Sequence, residues 1–201
     1  MRSVLYIEEK KKSNKMSSRP VYLDRDGVIN RNRRDYVRSL EDWIPIPGAI
    51  EAITRLSKAG HPVIVITNQS AIAREFCTVR DVESIHSSLI QMVSKAGGVI
   101  SGIYYCPHHP DDGCECRKPR TGMVETARKE LSLSEGGYIV GDAESDMELG
   151  RRAGLKTILV LTGRGRDQME KIESEGLPEP WRISEDISSA VEIIIRDSRD
   201  S

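Results

Sequence analysis

The 201-residue sequence predicts an α/β fold built on a doubly wound, Rossmann-like parallel sheet. The first observation is that short apolar runs alternate along the chain with segments of helical periodicity, which is the pattern of repeated βαβ units. The second is that these runs are continuous rather than interrupted by polar residues, so each strand should be buried on both faces by flanking helices. The chain length suits one domain with a sizeable core.

The first three elements follow from their own residues. Val21–Leu23 is a short apolar run that ends at a charged segment, and it predicts the first strand. The segment "PGAIEAITRLSKAG" at 47–60 predicts a helix, because Pro47 lies near its first turn and Gly60 lies just past its end. The run "PVIVIT" at 62–67 is β-branched and apolar, which predicts the second strand.

The remaining elements continue the alternation. Thr78 and Asp81 have the spacing of a capping box, which predicts the start of a helix that ends near Gly97. Hydrophobic periodicity predicts the rest. In chain order these are a strand over 98–105, a helix over 123–131, a strand over 137–142, a helix over 145–153, a strand over 156–163 and a closing helix over 186–196.

Composition and charge exclude several classes of function. The formal net charge of -1 gives no global basic field, so a nucleic-acid partner is not expected. No apolar run approaches the roughly 20 residues that span a bilayer, and the apolar patch near the start is too short for a signal sequence. The sequence therefore predicts a cytoplasmic protein without a membrane partner, and a monomer is expected.

The first 19 residues differ from the rest of the chain. The segment "EEKKKSNKMSSRP" is polar, charged and aperiodic, which indicates disorder. Met16 lies just upstream of the first strand and offers an alternative start of translation. We therefore expect a disordered extension over 1–19 and one folded domain over 20–201.

Polar and charged residues collect where the predicted strands end. In a doubly wound sheet, ligands bind beyond the carboxyl ends of the strands, so these residues should share one site. Carboxylates, two cations and several hydroxyl and amide donors together suit a magnesium ion and a phosphate group. The residues are Asp24 and Asp26 after the first strand, Thr67, Asn68, Gln69 and Ser70 after the second, Arg117 and Lys118 after the third and its loop, and Asp142 and Asp146 after the fourth.

The stretch "VYLDRDGVIN" places two like charges two residues apart at the end of a buried strand. Repulsion and desolvation make that arrangement costly unless a cation compensates it. Asp24, at the strand tip, can attack phosphorus and form an aspartyl-phosphate, and Asp26 can protonate the leaving alkoxide and then deprotonate the hydrolytic water. Asp24, Asp142 and the backbone carbonyl of Asp26 offer hard oxygen ligands for magnesium. Asp146 is either a neighbour of the metal or a helix cap.

Four motifs, "DRDG", "TNQS", "CRKP" and "GDAESD", resemble in order and spacing those of the haloacid-dehalogenase superfamily of phosphatases. The resemblance covers residues 20–196 and implies a fold without a cap domain. It also implies a magnesium-dependent phosphatase with Asp24 as nucleophile and Asp26 as general acid and base. Catalytic roles are expected for Thr67 and Lys118. Contacts with the substrate are expected from Tyr36, Asn68, Gln69, Ser70, Arg74 and Arg117.

The loop "CPHHPDDGCECRKP" carries a second candidate metal site. Three thiolates and one imidazole suit tetrahedral zinc, and a complete set of four ligands predicts a structural role. Either His108 or His109 could supply the imidazole, and the Cys-Pro-His pattern of the family favours His108. The loop runs directly into Arg117 and Lys118, so a metal that stiffens it would hold these two cations in place. The predicted ligands are Cys106, His108, Cys114 and Cys116.

The spacing of the motifs leaves no segment large enough for a separate cap domain, so the substrate should be a small phosphorylated metabolite. Two families without a cap carry such a zinc loop: phosphatases of D-glycero-D-manno-heptose 1,7-bisphosphate and phosphatases of histidinol phosphate. The stretch "TNQSAIARE" is similar to the first family, and Arg74 would contact the second phosphate or the sugar of a bisphosphate. Ala71, Glu75 and Ala143 depart from that family's pattern.

Two alternatives remain open from the sequence. A histidinol-phosphate phosphatase of histidine biosynthesis is the alternative enzyme, because the length of the zinc loop does not discriminate between the two families. A zinc-stabilised binding module with a relic phosphatase fold is the non-enzymatic alternative, although no motif position is lost. The motifs favour a bacterial hydrolase that acts on a heptose bisphosphate in the synthesis of lipopolysaccharide or glycan precursors.

Overall fold

The computed structural model describes residues 2–4 and 19–200, which contain a seven-stranded sheet flanked by helices. The strands are β1 (Arg2–Val4), β2 (Val21–Leu23), β3 (Val63–Asn68), β4 (Gly102–Cys106), β5 (Tyr138–Gly141), β6 (Lys156–Val160) and β7 (Arg182–Ser184). The helices are α1 (Ala49–Lys58), α2 (Val79–Lys95), α3 (Gly122–Leu131), α4 (Glu144–Arg152), α5 (Gly165–Glu175) and α6 (Ile187–Arg199), and a 3₁₀ turn covers Pro110–Asp112.

Six of the strands are parallel and follow the spatial order β4-β3-β2-β5-β6-β7, while β1 pairs antiparallel with β4 at one edge. The chain passes from β2 to β3 and β4 on one side of β2, and then crosses to β5 on the other side. Such a reversal opens a crevice at the carboxyl ends of the strands. The topology therefore places the residue after β2 at the centre of a ligand site, and the predicted doubly wound parallel sheet is confirmed.

Both faces of the sheet are covered, as the continuous apolar runs predict. Val21 and Leu23 of β2 pack in the core formed with α1, α2 and α6, whereas Tyr22 packs in the core formed with α3 and α4. All three side chains are fully buried, so β2 is held between two packed layers. Every helix of residues 19–200 contributes to a core on this sheet, which leaves no separate cap domain there. None of the described helices is long and apolar enough to cross a membrane.

The predicted elements are all present, and most of their ends shift by only a few residues. The largest shift concerns the strand predicted over 98–105, which begins at Gly102. Two elements in the C-terminal part of the chain also escape prediction, for physical reasons. The helix α5 is rich in charged residues and buries only Ile172 among its apolar side chains, so its hydrophobic stripe is weak. The strand β7 has three residues, two of which are exposed.

The strand β1 lies inside the segment 1–19, for which the sequence predicts disorder. It extends the sheet through backbone pairing with β4, with Arg2 opposite Tyr105 and Val4 opposite Ile103. An edge strand of this kind depends on an unpaired partner edge elsewhere in the fold, which local composition cannot reveal. Residues 1 and 5–18 of the predicted extension lie outside the described residues.

Candidate active site

Asp24 follows β2 directly, and a single buried lysine holds its carboxylate at the carboxyl edge of the sheet. The Nζ atom of Lys118 lies 2.8 Å from Oδ1 of Asp24 and 2.7 Å from Oδ1 of Asp146. It also donates a hydrogen bond to the carbonyl oxygen of Ile66 at 3.1 Å. One ammonium group therefore bridges the carboxylate after β2 and a carboxylate in α4.

Three carboxylates share this one cation. Asp142 follows β5, and one oxygen from each of Asp24, Asp142 and Asp146 lies within 4.8 Å of the others. Oδ2 of Asp142 accepts a hydrogen bond from the backbone N–H of Arg164 at 2.8 Å, but its buried Oδ1 has no partner in the described chain. Three carboxylates and one ammonium leave two negative charges uncompensated. The hard oxygen donors and this charge both fit Mg²⁺.

Burial and the excess of carboxylates together set the electrostatics of the cluster. Burial raises the pKa of Asp24 to about 7, against the opposing charge of Lys118 and with a contribution from the carboxylates of Asp146 and Asp142. Burial and the carboxylate of Asp146 raise the pKa of Asp142 to about 6, although Arg164 opposes the shift. Both groups are therefore costly to ionise in the metal-free protein.

Asp26 lies two residues further along the chain and is compensated separately. Its carboxylate accepts hydrogen bonds from Arg25 at 3.0 and 3.1 Å, and from the side-chain amides of Asn30 and Gln69 at 2.8 Å each. The guanidinium of Arg25 is completely buried. Burial favours the neutral form of Asp26, but Arg25 and the two amides outweigh it and lower the pKa of this carboxyl. The two aspartates thus have opposite pKa shifts, and their charges are balanced by different cations.

Gly27 allows the loop after β2 to approach the end of β5. Its φ of 89° lies in the left-handed region, and a Cβ atom there would come within 2.0 Å of Oδ2 of Asp142. The carbonyl oxygen of Gly27 accepts a hydrogen bond from the hydroxyl of Thr162 at 2.6 Å, which ties this loop to the loop after β6. Any side chain at position 27 would displace the Asp142 carboxylate.

Three predicted site residues at the end of β3 form hydrogen bonds with one another or with other residues of the site. Thr67 is buried, and its hydroxyl accepts a hydrogen bond from Nε2 of Gln69 at 2.8 Å. The side chain of Asn68 contacts the backbone of Lys118 twice, with Nδ2 donating at 3.2 Å and Oδ1 accepting at 3.0 Å. Oε1 of Gln69 accepts a hydrogen bond from Arg25 at 3.0 Å. The two amide side chains therefore orient charged residues of the site.

A cleft of about 740 Å³ opens beside these groups, and its lining is strongly basic. The Nη1 atom of Arg117 is buried without a hydrogen-bond partner in the described chain, so it can donate a hydrogen bond to a bound anion. The cleft therefore suits an anionic ligand. The predicted substrate contacts that line it are Tyr36, Asn68, Gln69, Ser70, Arg74 and Arg117, and the basic residues that the motifs did not single out are Arg33, Arg34 and Arg164.

The cysteine loop brings its four predicted ligands together. The Sγ atom of Cys106 lies 3.6 Å from Nδ1 of His108 and 3.5 Å from Sγ of Cys114. The Sγ atom of Cys116 lies 3.2 Å from the same histidine nitrogen. A tetrahedral zinc ion with bonds of about 2.0–2.3 Å needs ligand atoms roughly 3.5 Å apart, so the cluster fits this metal.

His109 faces away from the cysteine cluster. Its Nδ1 atom lies 3.2 Å from the carboxylate of Asp111 and caps the 3₁₀ turn, which leaves His108 as the imidazole among the thiols. Arg120 donates hydrogen bonds to the backbone carbonyls of Gly113 and Cys114, so the loop is also tied to the residues that precede α3. The backbone that leads to Lys118 is therefore held by the cysteine cluster before it and by the Arg120 contacts after it.

Comparison with known proteins supplies the family. A haloacid dehalogenase-like hydrolase model matches residues 21–83, and a HAD-hydrolase-like model matches residues 115–190. The D-glycero-beta-D-manno-heptose-1,7-bisphosphate 7-phosphatase of Pseudomonas putida is 42% identical over 174 residues, which cover 86% of this chain and 97% of that protein. The chain belongs to the haloacid dehalogenase-like hydrolases.

Solved structures of such hydrolases share the fold over most of the chain. The crystal structure of D,D-heptose 1,7-bisphosphate phosphatase from Bordetella bronchiseptica, complexed with magnesium and phosphate, has a TM-score of 0.83 at 37% identity. The match covers 89% of this chain and 99% of that one. The D,D-heptose 1,7-bisphosphate phosphatase from Burkholderia thailandensis has a TM-score of 0.66 at 29% identity and covers 87% of this chain and 97% of that one.

The structure of this hydrolase brings the predicted residues to one edge of the sheet, but the motifs identified only some of the groups that balance their charges, Lys118 among them. Sequence reasoning missed Arg25, which is buried against Asp26, and Asn30, which completes that contact. A signal for Arg25 was present, because it stands between the two aspartates of "DRDG". The additional arginines of the cleft lie on loops that carry no pattern of their own.

Glu75 is one of the residues that depart from the family's pattern, and it has a backbone conformation that favours glycine. Its φ of 59° lies in the left-handed region, which costs a residue with a Cβ atom about 1–2 kcal/mol. The side chain is exposed and does not line the cleft. The carboxylate is therefore solvated and adds no charge to the lining of the site.

We expect Asp142→Asn to gain stability relative to the wild type as the pH of metal-free protein rises from about 4 through about 6. Protonated Asp142 stabilises the folded wild type below its unfolded pKa of about 3.9, and this contribution is lost as the pH passes the folded value of about 6. The difference in the free energy of unfolding, measured by urea unfolding in EDTA at pH 4.5 and 7.5, should reach about 2 kcal/mol. Parallel pH profiles for the two proteins would contradict the described electrostatics.

We expect Cys114→Ser to lose zinc, thermal stability and part of the activity together. Metal affinity in such a site is partly folding energy, and the loop it stiffens carries Lys118. Elemental analysis of purified protein gives the zinc content, melting curves give the thermal stability, and kinetics give the activity. Cys77→Ser is the matched control, because this half-buried free cysteine lies outside the cluster. A metal-free wild type with full activity would rule out the zinc assignment.

Proposed function

We propose that this hydrolase removes the 7-phosphate from D-glycero-D-manno-heptose 1,7-bisphosphate through an aspartyl-phosphate, as a cytoplasmic monomer with one domain over 20–201. The observation that carries the proposal is the cluster of Asp24, Asp142 and Asp146 around Lys118, beside a basic cleft. The similarity of the chain to enzymes named for this reaction favours the heptose substrate over histidinol phosphate.

Asp24 is the proposed nucleophile. Lys118 contacts its Oδ1 atom at 2.8 Å, and the backbone N–H of Arg25 donates to the same oxygen at 2.7 Å. Neither group uses Oδ2, which can therefore attack phosphorus. The new bond joins Oδ2 to phosphorus as the bond from phosphorus to the sugar oxygen breaks, and the product is an aspartyl-phosphate. The packed strand β2 fixes the carboxylate relative to the cleft during this step.

Asp26 is the proposed general acid and base. It lines the cleft, and 19% of its side chain is exposed there. Its lowered pKa suits the second step, in which the carboxylate takes a proton from the water that hydrolyses the aspartyl-phosphate. In the first step it protonates the leaving alkoxide. A substrate phosphate beside it favours the protonated carboxyl, because a nearby like charge disfavours ionisation.

Lys118 and Thr67 are proposed to hold the phosphoryl oxygens as charge redistributes in the transition state. Phosphoryl transfer depends mainly on positioning and on charge stabilisation, so groups that are already fixed contribute most. Lys118 is fixed by two carboxylates and a carbonyl, and Thr67 by Gln69. The proposed substrate contacts are Tyr36, Asn68, Gln69, Ser70, Arg74 and Arg117.

Two metal ions complete the proposal. Asp24, Asp142 and the backbone carbonyl of Asp26 are proposed to hold magnesium, which when bound neutralises phosphate charge and the excess charge of the carboxylates. A closed zinc site would fix the loop that carries Arg117 and Lys118. The proposed zinc ligands are Cys106, His108, Cys114 and Cys116.

The charge of the cleft favours a bisphosphate over a monophosphate. Six basic side chains line it, against the two acidic side chains of Asp26 and Asp167. Lys118 is already engaged by carboxylates, and Arg33 pairs with Asp35 and Asp42, which leaves the other guanidinium groups for a second phosphate. Histidinol phosphate carries an ammonium group of its own, and the same arginines would repel it. These charges support the heptose bisphosphate as the substrate.

We expect Asp24→Asn to abolish turnover of heptose bisphosphate while the melting temperature stays near that of the wild type. The amide cannot form the aspartyl-phosphate, so the loss should exceed the roughly 100- to 10,000-fold expected for Asp26→Asn. Phosphate release gives the rates. Wild type treated with EDTA is the control, and it should recover on addition of magnesium. Near-normal activity of Asp24→Asn, or full activity without a divalent ion, would refute the mechanism.

We expect kcat/KM for D-glycero-D-manno-heptose 1,7-bisphosphate to exceed that for histidinol phosphate by about a hundredfold or more. When histidinol phosphate binds, the arginines that would contact the second phosphate stay unpaired, which lowers its kcat/KM. Phosphorus NMR should identify the product as the 1-phosphate. Arg117→Ala should raise KM for the bisphosphate. A preference for histidinol phosphate would instead assign the alternative enzyme.

A further inference from the structure

His86 is a fully buried histidine in α2 that none of the roles above uses. Its Nε2 atom lies 3.3 Å from Nη1 of Arg25, which is also fully buried. Its ring forms an edge-type pair with the ring of Tyr105 in β4, with 5.3 Å between the ring centroids. The histidine therefore lies behind Arg25, on the opposite side of the guanidinium from the cleft residue Asp26.

The contact fixes the protonation state of His86. A guanidinium can only donate hydrogen bonds, so Nε2 must accept and the imidazole must be neutral. Burial and the charge of Arg25 lower the pKa of His86 to about 3, in agreement with that requirement. The proton then resides on Nδ1, which has no hydrogen-bond partner in the described chain. The arrangement leaves one buried donor unsatisfied in order to keep an acceptor facing Arg25.

The guanidinium of Arg25 is held at both ends. Nη1 donates to His86, and Nη2 donates to Oε1 of Gln69 at 3.0 Å. Between these contacts, Nε and Nη2 face the carboxylate of Asp26 at 3.0 to 3.3 Å. Gln69 reaches the same carboxylate with Nε2 at 2.8 Å. The position of Asp26 therefore depends on a guanidinium whose far end is fixed by His86.

We propose that His86 is a positioning residue, which acts through Arg25 to hold the Asp26 carboxylate in the orientation needed for proton transfer to the leaving group. This inference rests on the proposed function, because it assigns His86 to the acid–base step of that reaction. An apolar residue at position 86 would fill the same space but leave a donor of a buried charge unsatisfied. The guanidinium would then shift toward other acceptors and carry the carboxylate with it.

The test compares substrates with different leaving groups. A sugar alkoxide needs a proton as it departs, whereas an aryl oxide departs readily without one, so only the first depends strongly on the general acid. The ratio of kcat/KM for heptose bisphosphate to kcat/KM for p-nitrophenyl phosphate therefore reports the acid, because kcat/KM covers the steps up to formation of the aspartyl-phosphate. Asp26→Asn sets the largest change that this ratio can show.

Three variants separate positioning from packing. His86→Leu keeps the bulk but removes the acceptor, and His86→Gln restores an acceptor at the same reach. His61→Leu is the matched control, because His61 is also buried but lies at the other end of the sheet, just before β3. Its ring contacts the backbone carbonyl of Arg19. Melting temperatures of all three show how much each change affects the fold.

We expect His86→Leu to lower kcat/KM for the heptose substrate by about ten- to a hundredfold and that for the aryl phosphate by less than about threefold. His86→Gln should restore the ratio, and His61→Leu should leave it unchanged whatever it does to stability. If the wild type is active and His86→Leu loses kcat/KM equally on both substrates, or loses none, the inference is overturned. The proposed function would then still stand. A wild type that hydrolyses neither substrate would overturn the proposed function and the inference with it.

Discussion

Lys118 is the residue on which the site depends, because the partners of its buried ammonium group join several strand ends. A buried lysine without such partners would lose its proton or move to the solvent. The partners come from separate parts of the chain: Asp24 after β2, the carbonyl of Ile66 in β3, and Asp146 in α4. The side chain of Asn68 holds its backbone in place. The contacts that compensate the charge of Lys118 therefore also hold the strand ends together and fix the geometry of the site.

The two aspartates of "DRDG" show how the fold gives different properties to identical side chains. Asp24 shares one cation with other carboxylates and has a raised pKa, whereas Asp26 has a guanidinium and two amides of its own and has a lowered pKa. The nucleophile and the proton carrier proposed for these positions need different environments, and the single residue between them, Arg25, separates the two. The short chain distance between the aspartates is thus compatible with two distinct tasks.

Much of the fold and most of the candidate site could be predicted from the sequence, because both leave periodic or local patterns. The strand Val63–Asn68 appears as a β-branched run, and Asp24 and Asp142 each follow such a run directly. The rest depends on contacts between distant segments. The partnership of His86 with Arg25 spans 61 positions along the chain, and nothing near either residue indicates it. The weakly apolar α5 and the short β7 are likewise stabilised by the sheet they join rather than by their own sequence.

The antiparallel strand β1 has a consequence for the behaviour of the protein in solution. It covers the outer edge of β4, whose N–H and C=O groups would otherwise face outward without partners. A variant without Arg2–Val4 would lose this pairing and would present that edge to other molecules. Exposed strand edges recruit further strands, so the shorter chain should be more prone to self-association in concentrated solution. A three-residue strand would then affect the colloidal behaviour of the protein, even though it lies outside the candidate site.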